Sequence, residues 1–269
     1  MNIQHFYGFT RVPFCKDIPP SDLFLAEGQN ELCARLDYLT QQRGMGLLTG
    51  ETGCGKSTAL RRFTASLDSN RFFVIYLANP LLGLTGLYRD LLSALGHEPP
   101  FSRPKMVSRI RLALDDLLTN KHRTPFLILD EAHLLPDDVF EQLRMLFSTH
   151  MDSQSLSALL LVGQPELRRT LHMASHEAFF QRLTTSFHLP PLDLTQSIAY
   201  IHHQIQFSGY KNGILFTDDA LARIYDYTKG VPRQINRLCT TTLLVGVIDQ
   251  KQILEESSIR KAIAELDQP

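Results

Sequence analysis

A chain of 269 residues with 43% hydrophobic residues is long enough for one large α/β domain and a small second one, which excludes a disordered chain. The formal net charge of −1 excludes a protein coated in positive potential, so any contact with nucleic acid has to come from a local patch. The four cysteines, Cys15, Cys33, Cys54 and Cys239, make no C-x-x-C pair; this excludes a disulfide framework or a zinc knuckle and points to a reduced, cytoplasmic setting.

The N-terminus, Met1-Asn2-Ile3-Gln4-His5-Phe6, lacks the basic start and apolar core of a secretory signal. No later stretch approaches the roughly 20 apolar residues of a membrane span, so none is expected. Residues 3 to 25 hold Phe6, Tyr7, Phe9, Phe14 and Phe24, broken by Pro13, Pro19 and Pro20, which forbids a long helix. Leu32, Leu36 and Leu39 then predict a helix over Glu27 to Gln42, leading into an apolar strand, Met45 to Leu48.

Directly after that strand stands Gly50-Glu51-Thr52-Gly53-Cys54-Gly55-Lys56-Ser57, followed by helix-like Thr58 to Phe63. A polyphosphate requires inward amide N–H groups, a backbone free to wrap and one long cation. The three glycines let the chain wrap without a Cβ in the way, and Lys56 reaches the β and γ oxygens. This is a P-loop between the strand and helix it requires. Gly50, Thr52, Gly53, Cys54, Gly55, Lys56, Ser57 and Thr58 form the expected ATP-binding set; Ser57, directly after the lysine, is the expected Mg²⁺ ligand rather than Thr58. With a nucleotide there, the N-terminal aromatic segment is either a lip over the adenine base or a strap over the core.

The pattern continues with a helix at about 56–67, the apolar run Phe72 to Leu77, helices at about 84–95 and 105–120, and the run Phe126 to Leu129. A helix at about 137–147, the run Leu159 to Val162, a helix at about 177–184 and a strand near Thr185 to Leu189 follow. Five nearly unbroken apolar runs separated by amphipathic helices predict an α/β fold, an αβα sandwich around a five-stranded parallel sheet buried on both faces. Pro190-Pro191 is a hard stop, after which helices are predicted at about 195–208, 217–228, 232–248 and 256–266. We therefore expect an α/β core over 1–190, carrying the aromatic segment, and a helical lid over 191–269.

The run Phe126 to Leu129 ends in Asp130-Glu131-Ala132-His133, placing two carboxylates at the sheet edge where open α/β sheets bind ligands. Asp130 is expected to hold Mg²⁺ and Glu131 to orient and polarise the attacking water. His133 either relays the nucleotide state or simply begins the next helix. Gln164, at the end of the Leu159 to Val162 strand, is assigned to sensing the γ-phosphate, the plain alternative being a turn residue before Pro165. Arg182, just before the last strand, is either offered to a neighbouring subunit's nucleotide or held in a surface ion pair; Arg168 and Arg169 compete with it. Arg233 falls in the first turn of a helix opened by Pro232, where the helix dipole does not favour a cation. It either contacts the γ-phosphate from the lid or meets a carboxylate. His172 and His176, with Glu177, have no third ligand spaced nearby to complete a metal site.

The P-loop, Leu129-Asp130-Glu131-Ala132-His133, Leu161-Val162-Gly163-Gln164-Pro165-Glu166-Leu167 and Gly230-Val231-Pro232-Arg233-Gln234-Ile235-Asn236 together resemble the AAA+ ATPases of the ExeA type, the general secretion pathway protein A group. The opening, Phe6-Tyr7-Gly8-Phe9 with Pro13-Phe14, is similar to that group's start. The resemblance implies ATP at the seam of core and lid, and a homo-oligomeric ring or filament. It also implies an arginine finger in trans at Arg182, a second sensor at Arg233, and Gln164 as first sensor where AAA+ proteins more often have Asn or Thr. Members of the secretion group continue into a membrane span and a peptidoglycan-binding region; a chain ending at the lid also looks like the TniB and TnsC kind of helper ATPase, which loads on duplex DNA and recruits a DDE transposase.

The densest basic cluster, Arg103, Lys105, Arg109 and Arg111, puts Lys105 and Arg109 on one helical face, either a DNA-binding patch repeated in an oligomer or a solvated surface. The function expected first is thus a transposition helper whose ATP form assembles on DNA. The alternatives are an ATPase that assembles a secretion or envelope machine without DNA, and a switch that binds ATP and hardly turns it over.

Overall fold

Each of the five apolar runs forms a strand. The computed structural model describes residues 2–78, 83–149 and 154–267. The first elements are α1 (Ile3–Tyr7), α2 (Glu27–Gln42), β1 (Met45–Thr49), α3 (Lys56–Ser66), β2 (Phe72–Leu77), α4 (Gly83–Ala94), α5 (Arg103–Thr119) and β3 (Thr124–Leu129). Next come α6 (Asp137–Phe147), the two-residue strands β4 (Ser148–Thr149) and β5 (Gln154–Ser155), which pair antiparallel, β6 (Ala158–Gly163), α7 (Pro165–Leu171), α8 (Glu177–Phe180) and β7 (Leu183–His188). The chain closes with α9 (Leu194–Phe207), α10 (Asp218–Thr228), α11 (Pro232–Ile248) and α12 (Glu256–Leu266).

The five long strands pair in parallel in the order β2-β3-β6-β1-β7. Side chains alternate across a strand, and both faces of this sheet are covered. Leu47, Leu127, Leu129, Leu159 and Leu161 join one core with helices α4 to α7, whereas Leu48, Phe126, Ile128, Leu160 and Val162 join a second with α2 and α3. Each such fully buried Leu or Phe contributes about 1.5–3 kcal/mol. The edge strands β2 and β7 keep several half-exposed or exposed positions, whereas among the interior strands only Thr124, at the start of β3, is half-exposed. Helix α8 stops at Phe180, short of the predicted 184, because Leu183 already pairs with Met45 as β7 begins.

The chain divides into two compact units, Glu27–Thr52 with Ala59–Leu189, and Met1–Ala26 with Gly53–Thr58 and Pro190–Pro269. The aromatic N-terminal segment, which the sequence pattern attaches to the α/β core, thus falls with the helices after Pro190. There Tyr7, Phe9 and Phe14 are buried with Ile201, Phe216, Leu238 and Leu243. The Tyr7 hydroxyl donates to the Lys251 carbonyl at 3.1 Å, passing Gly246, where a Cβ would lie 2.1 Å from the Tyr7 hydroxyl oxygen. Helix α9 starts on an Asp193–Gln196 capping box, and α10 on Thr217. Among the described residues no helix is long and apolar enough to cross a membrane.

Candidate functional site

Parallel strands deliver the ends of β1, β3 and β6 to one edge of the sheet. β6 lies between the other two and runs past β3: Leu129 pairs with Leu161, and Thr49 with Gly163. Gln164 therefore follows the strand that separates the start of the P-loop from the acidic pair.

The loop's glycines have distinct reasons. Gly50 is needed for space, since a Cβ there would lie 2.6 Å from the Leu189 carbonyl oxygen; its N–H donates to the Gly163 carbonyl at 3.3 Å. Gly53 and Gly55 are needed for conformation, with φ of +89° and +97°. A Cβ on Gly53 would lie 2.7 Å from the Arg233 Cβ, whereas one on Gly55 would point into open space with nothing within 4 Å. Cys54 and Lys56 are buried. Helix α3 begins at Lys56 with no acidic residue in its first turn, so none of its own carboxylates offsets the positive end. Open space over a left-handed glycine, a lysine and a helix start with no acidic residue in its own first turn are the chemistry a polyphosphate requires, so the residues present fit ATP.

In the helical unit, α10 ends on Lys229 in the left-handed conformation, Gly230 follows at φ +74°, and Pro232 opens α11. Gly230 is obligatory, because a Cβ there would lie 1.7 Å from the Leu192 oxygen. This turn sets Arg233 in the first turn of α11, with its backbone N–H 3.3 Å from the Gly53 carbonyl oxygen.

At the end of β3 the Asp130 carboxyl is only 5% exposed. Its Oδ1 accepts from the Glu131 N–H at 2.9 Å, and its Oδ2 from the Tyr76 hydroxyl at 2.5 Å. Glu131 takes the left-handed conformation, φ 53° and ψ 34°, which costs a non-glycine residue about 1–2 kcal/mol and turns the chain sharply after the strand. Its side chain is 48% exposed, with Oε2 3.5 Å from His133 Nδ1. His133 sits within a 3₁₀ turn, Ala132–Leu134, and its side chain is 13% exposed. Its Nε2 lies 3.1 Å from Gln164 Nε2. Three polar side chains from two strand ends thus form one row. The sequence named all three without joining them, and it passed over Tyr76, which lies inside the apolar run Phe72 to Leu77 yet is 49% exposed.

Arg182 donates from Nη1 to the Ser148 hydroxyl at 2.8 Å and is half-buried. Arg169 pairs with Glu166 at 2.8 Å on α7, and Arg168 is exposed beside it. On α5, Lys105 is exposed, while Arg103 donates to Thr85 Oγ1 at 3.1 Å and Arg109 to the Glu98 carbonyl at 2.9 Å. Arg111 donates to the Met145 carbonyl at 2.7 Å, at the end of α6. His172 stacks near the Phe180 ring and His176 near the Phe140 ring. Among the described residues no group of three or more His, Cys, Asp or Glu could hold a metal ion.

Comparison with known proteins gives concordant results. Residues 39–171 match the AAA domain family. General secretion pathway protein A of Aeromonas hydrophila is 35% identical over 248 residues, 90% of this chain and 44% of that protein. The chain therefore spans under half the length of that relative. Among solved structures, the ORC2 protein of Aeropyrum pernix in ADPNP-ADP complexes has a TM-score of 0.71 at 16% identity, covering 96% of this chain and 72% of that one. Cdc6p of Pyrobaculum aerophilum has a TM-score of 0.70 at 17% identity, covering 94% and 70%. At these identities the likeness is one of fold.

Proposed function

Because the chain belongs to the AAA+ ATPases of the ExeA type, we propose that it binds ATP in the Gly50–Ser57 loop and hydrolyses it to control assembly with further copies of itself. The observation that carries this reading is the open space at Gly55, beside the Lys56 that begins α3, in a chain that also ends β3 in a buried aspartate and a half-exposed glutamate.

In this mechanism the amides of residues 50 to 58 and the Lys56 ammonium hold the phosphates. Ser57 and Asp130 are the groups that would hold Mg²⁺, which supplies charge neutralisation of the β- and γ-phosphates when bound. Glu131 accepts a hydrogen bond from the attacking water and polarises it, so that the P–O bond to ADP breaks as the new one forms. Gln164 contacts the γ-phosphate or the water. Arg233 reads the same phosphate, and Arg182 is supplied to a neighbouring copy's nucleotide, which adds transition-state charge stabilisation of about 10³ to 10⁵ in rate. The Ser148 hydroxyl holds the Arg182 guanidinium in one orientation.

The test is a pair of variants. Lys56→Ala should abolish ATP-driven assembly, and Glu131→Gln should keep ATP binding while slowing turnover and trapping the assembled form. Turnover in Glu131→Gln equal to that of the parent chain rejects the proposed base.

Two settings suit such an ATPase. The 35% identity to a secretion protein favours assembly of a secretion or envelope machine. The exposed face of α5 supports the second setting, a helper that assembles on duplex DNA and recruits a DDE transposase; the ORC1 protein of Aeropyrum pernix, of the same fold at TM-score 0.65, was solved in complex with DNA. Two of the three arginines and lysines assigned to that contact, Arg103 and Arg109, already bond within the chain, which leaves Lys105 as the main phosphate contact. Co-sedimentation with duplex DNA and ATP at low salt, reversed by added salt, separates the settings. No DNA-dependent sedimentation removes the transposition reading.

A further inference from the structure

We propose that His133 is a positioning residue: it holds the Glu131 carboxylate in the orientation that polarises water and links that carboxylate to Gln164. The inference rests on Glu131 being the base of the proposed ATPase reaction.

The imidazole stands between the two groups, with Nδ1 3.5 Å from Glu131 Oε2 and Nε2 3.1 Å from Gln164 Nε2. An amide nitrogen only donates, so the ring's Nε2 accepts with its lone pair and the ring proton sits on Nδ1, facing the carboxylate. A single neutral tautomer thus serves both contacts. With the amide turned over, Nε2 would have to carry the proton, and a bare Nδ1 lone pair would face the negative Glu131 oxygen.

Backbone features hold the ring in this place. The left-handed Glu131 folds the chain back into the 3₁₀ turn, and Gly163 at the end of β6 leaves room for its backbone: a Cβ there would come 3.3 Å from the His133 backbone nitrogen and 2.8 Å from Leu167 Cδ2. The Nδ1 atom is buried with no hydrogen bond within its ideal geometry. At 3.5 Å the contact to Glu131 is about half an ångström longer than a full hydrogen bond, a gap that a small rotation of the exposed carboxylate closes. Glu131 has no other described polar partner for its side chain at this edge, so the imidazole is what restricts its freedom. Displacement of Gln164 is passed through the ring to the carboxylate.

Steady-state ATP turnover and calorimetric binding of a non-hydrolysable ATP analogue with Mg²⁺, on the full chain, test this. His133→Ala should lower kcat about tenfold, with KM and the analogue's Kd changed less than about twofold. In His133→Asn the side-chain amide nitrogen stands where Nδ1 stands, and kcat should recover to within about threefold of the parent chain. His133→Gln places its amide at the Nε2 position, offers Glu131 nothing, and should stay as slow as His133→Ala. Adding Gln164→Ala to His133→Ala should cost no more than the worse single change, since both act through one row. Should His133→Ala unfold below the assay temperature, the Asn and Gln variants alone decide, because a packing role favours the larger Gln. An unchanged kcat in His133→Ala, equal rates in Asn and Gln, or multiplying losses in the double variant overturns the proposal. Glu131→Gln run beside them separates the failures: if it turns over normally, the base is wrong, and if it is slow while His133→Ala is normal, only the role of His133 is wrong.

Discussion

Two glycines of the same loop are expected to fail differently when given a methyl group. Gly53 and Gly55 both hold left-handed backbone, at φ +89° and +97°, which costs an L side chain about 1–2 kcal/mol. A reduced unfolded-state entropy returns about 0.4–1 kcal/mol for Gly→Ala, so strain alone leaves a net loss near 1 kcal/mol at either position. At Gly53 the new methyl meets the Arg233 Cβ at 2.7 Å and Val231 Cγ1 at 3.2 Å. A Cβ is fixed to the backbone of α11 and cannot swing away, so overpacking adds about 1–3 kcal/mol. Gly53→Ala should therefore unfold in urea with a loss of about 2–4 kcal/mol, against about 1 kcal/mol for Gly55→Ala. Calorimetry should rank them in reverse relative to that loss: Gly55→Ala keeps most of its stability and loses ATP binding, because its methyl projects into the open space that the proposed phosphate would occupy. Arg233→Gly in the Gly53→Ala background removes the blocking Cβ and should restore part of the stability. Equal urea midpoints for the two alanine variants would refute the packing of Gly53 on Arg233 and, with it, the Cβ-fixed position of that arginine.

Three further outcomes are expected. Mixing Arg182→Ala subunits with Lys56→Ala subunits should recover part of the ATP turnover, because a joint site combines one intact loop with one intact finger; no recovery counts against Arg182 acting in trans. Tyr76→Phe removes a charge-assisted hydrogen bond to buried Asp130 and should lower stability by about 1.5–3 kcal/mol in urea titration; an unchanged midpoint would show the 2.5 Å contact to be unimportant. Burial pushes the Tyr7 and Tyr200 phenols up to about 12 from about 10, Tyr7 with a smaller contribution from Tyr210 and Tyr200 despite its bond to Asn236. The folded state thus favours the protonated phenol, so this stabilisation is complete below about pH 10 and is lost as pH rises from about 10 to about 12, by roughly 2–3 kcal/mol per tyrosine. A Tyr7→Phe/Tyr200→Phe variant should show a flatter urea midpoint over that window, and the same slope as the parent chain would contradict it.

The interior strands were legible because β1, β3 and β6 are covered on both faces, so their sequences read as unbroken apolar runs. The edge strand β7, with half-exposed positions alternating, was placed two residues late at its start. Helix α7 went unread: only Leu167 and Leu171 of its seven residues are buried, and Pro165, which opens the helix, suggests a turn. The two-residue strands β4 and β5 are too short to leave a period. For the site, local chemistry was readable and juxtaposition was not. His133 and Gln164 are 31 residues apart and meet only because β6 inserts beside β3. The partner of the aromatic N-terminus was equally hidden, since Tyr7 bonds a carbonyl 244 residues away.

The strand order has a consequence for biosynthesis. Both neighbours of β1 in the sheet, β6 and β7, lie more than a hundred residues downstream of it, whereas β2 and β3 pair with each other early. As the chain leaves the ribosome, the β2–β3 pair has its partner long before β1 does, so the loop that follows β1 stays without its scaffold until the Ala158–Gly163 segment has emerged. A nascent or truncated chain ending before that segment would expose the unpaired edges of an apolar strand, the template for aggregation that sheet proteins must hide. Release of the central strand is thus the event that gives β1, and the loop that follows it, their place in the sheet.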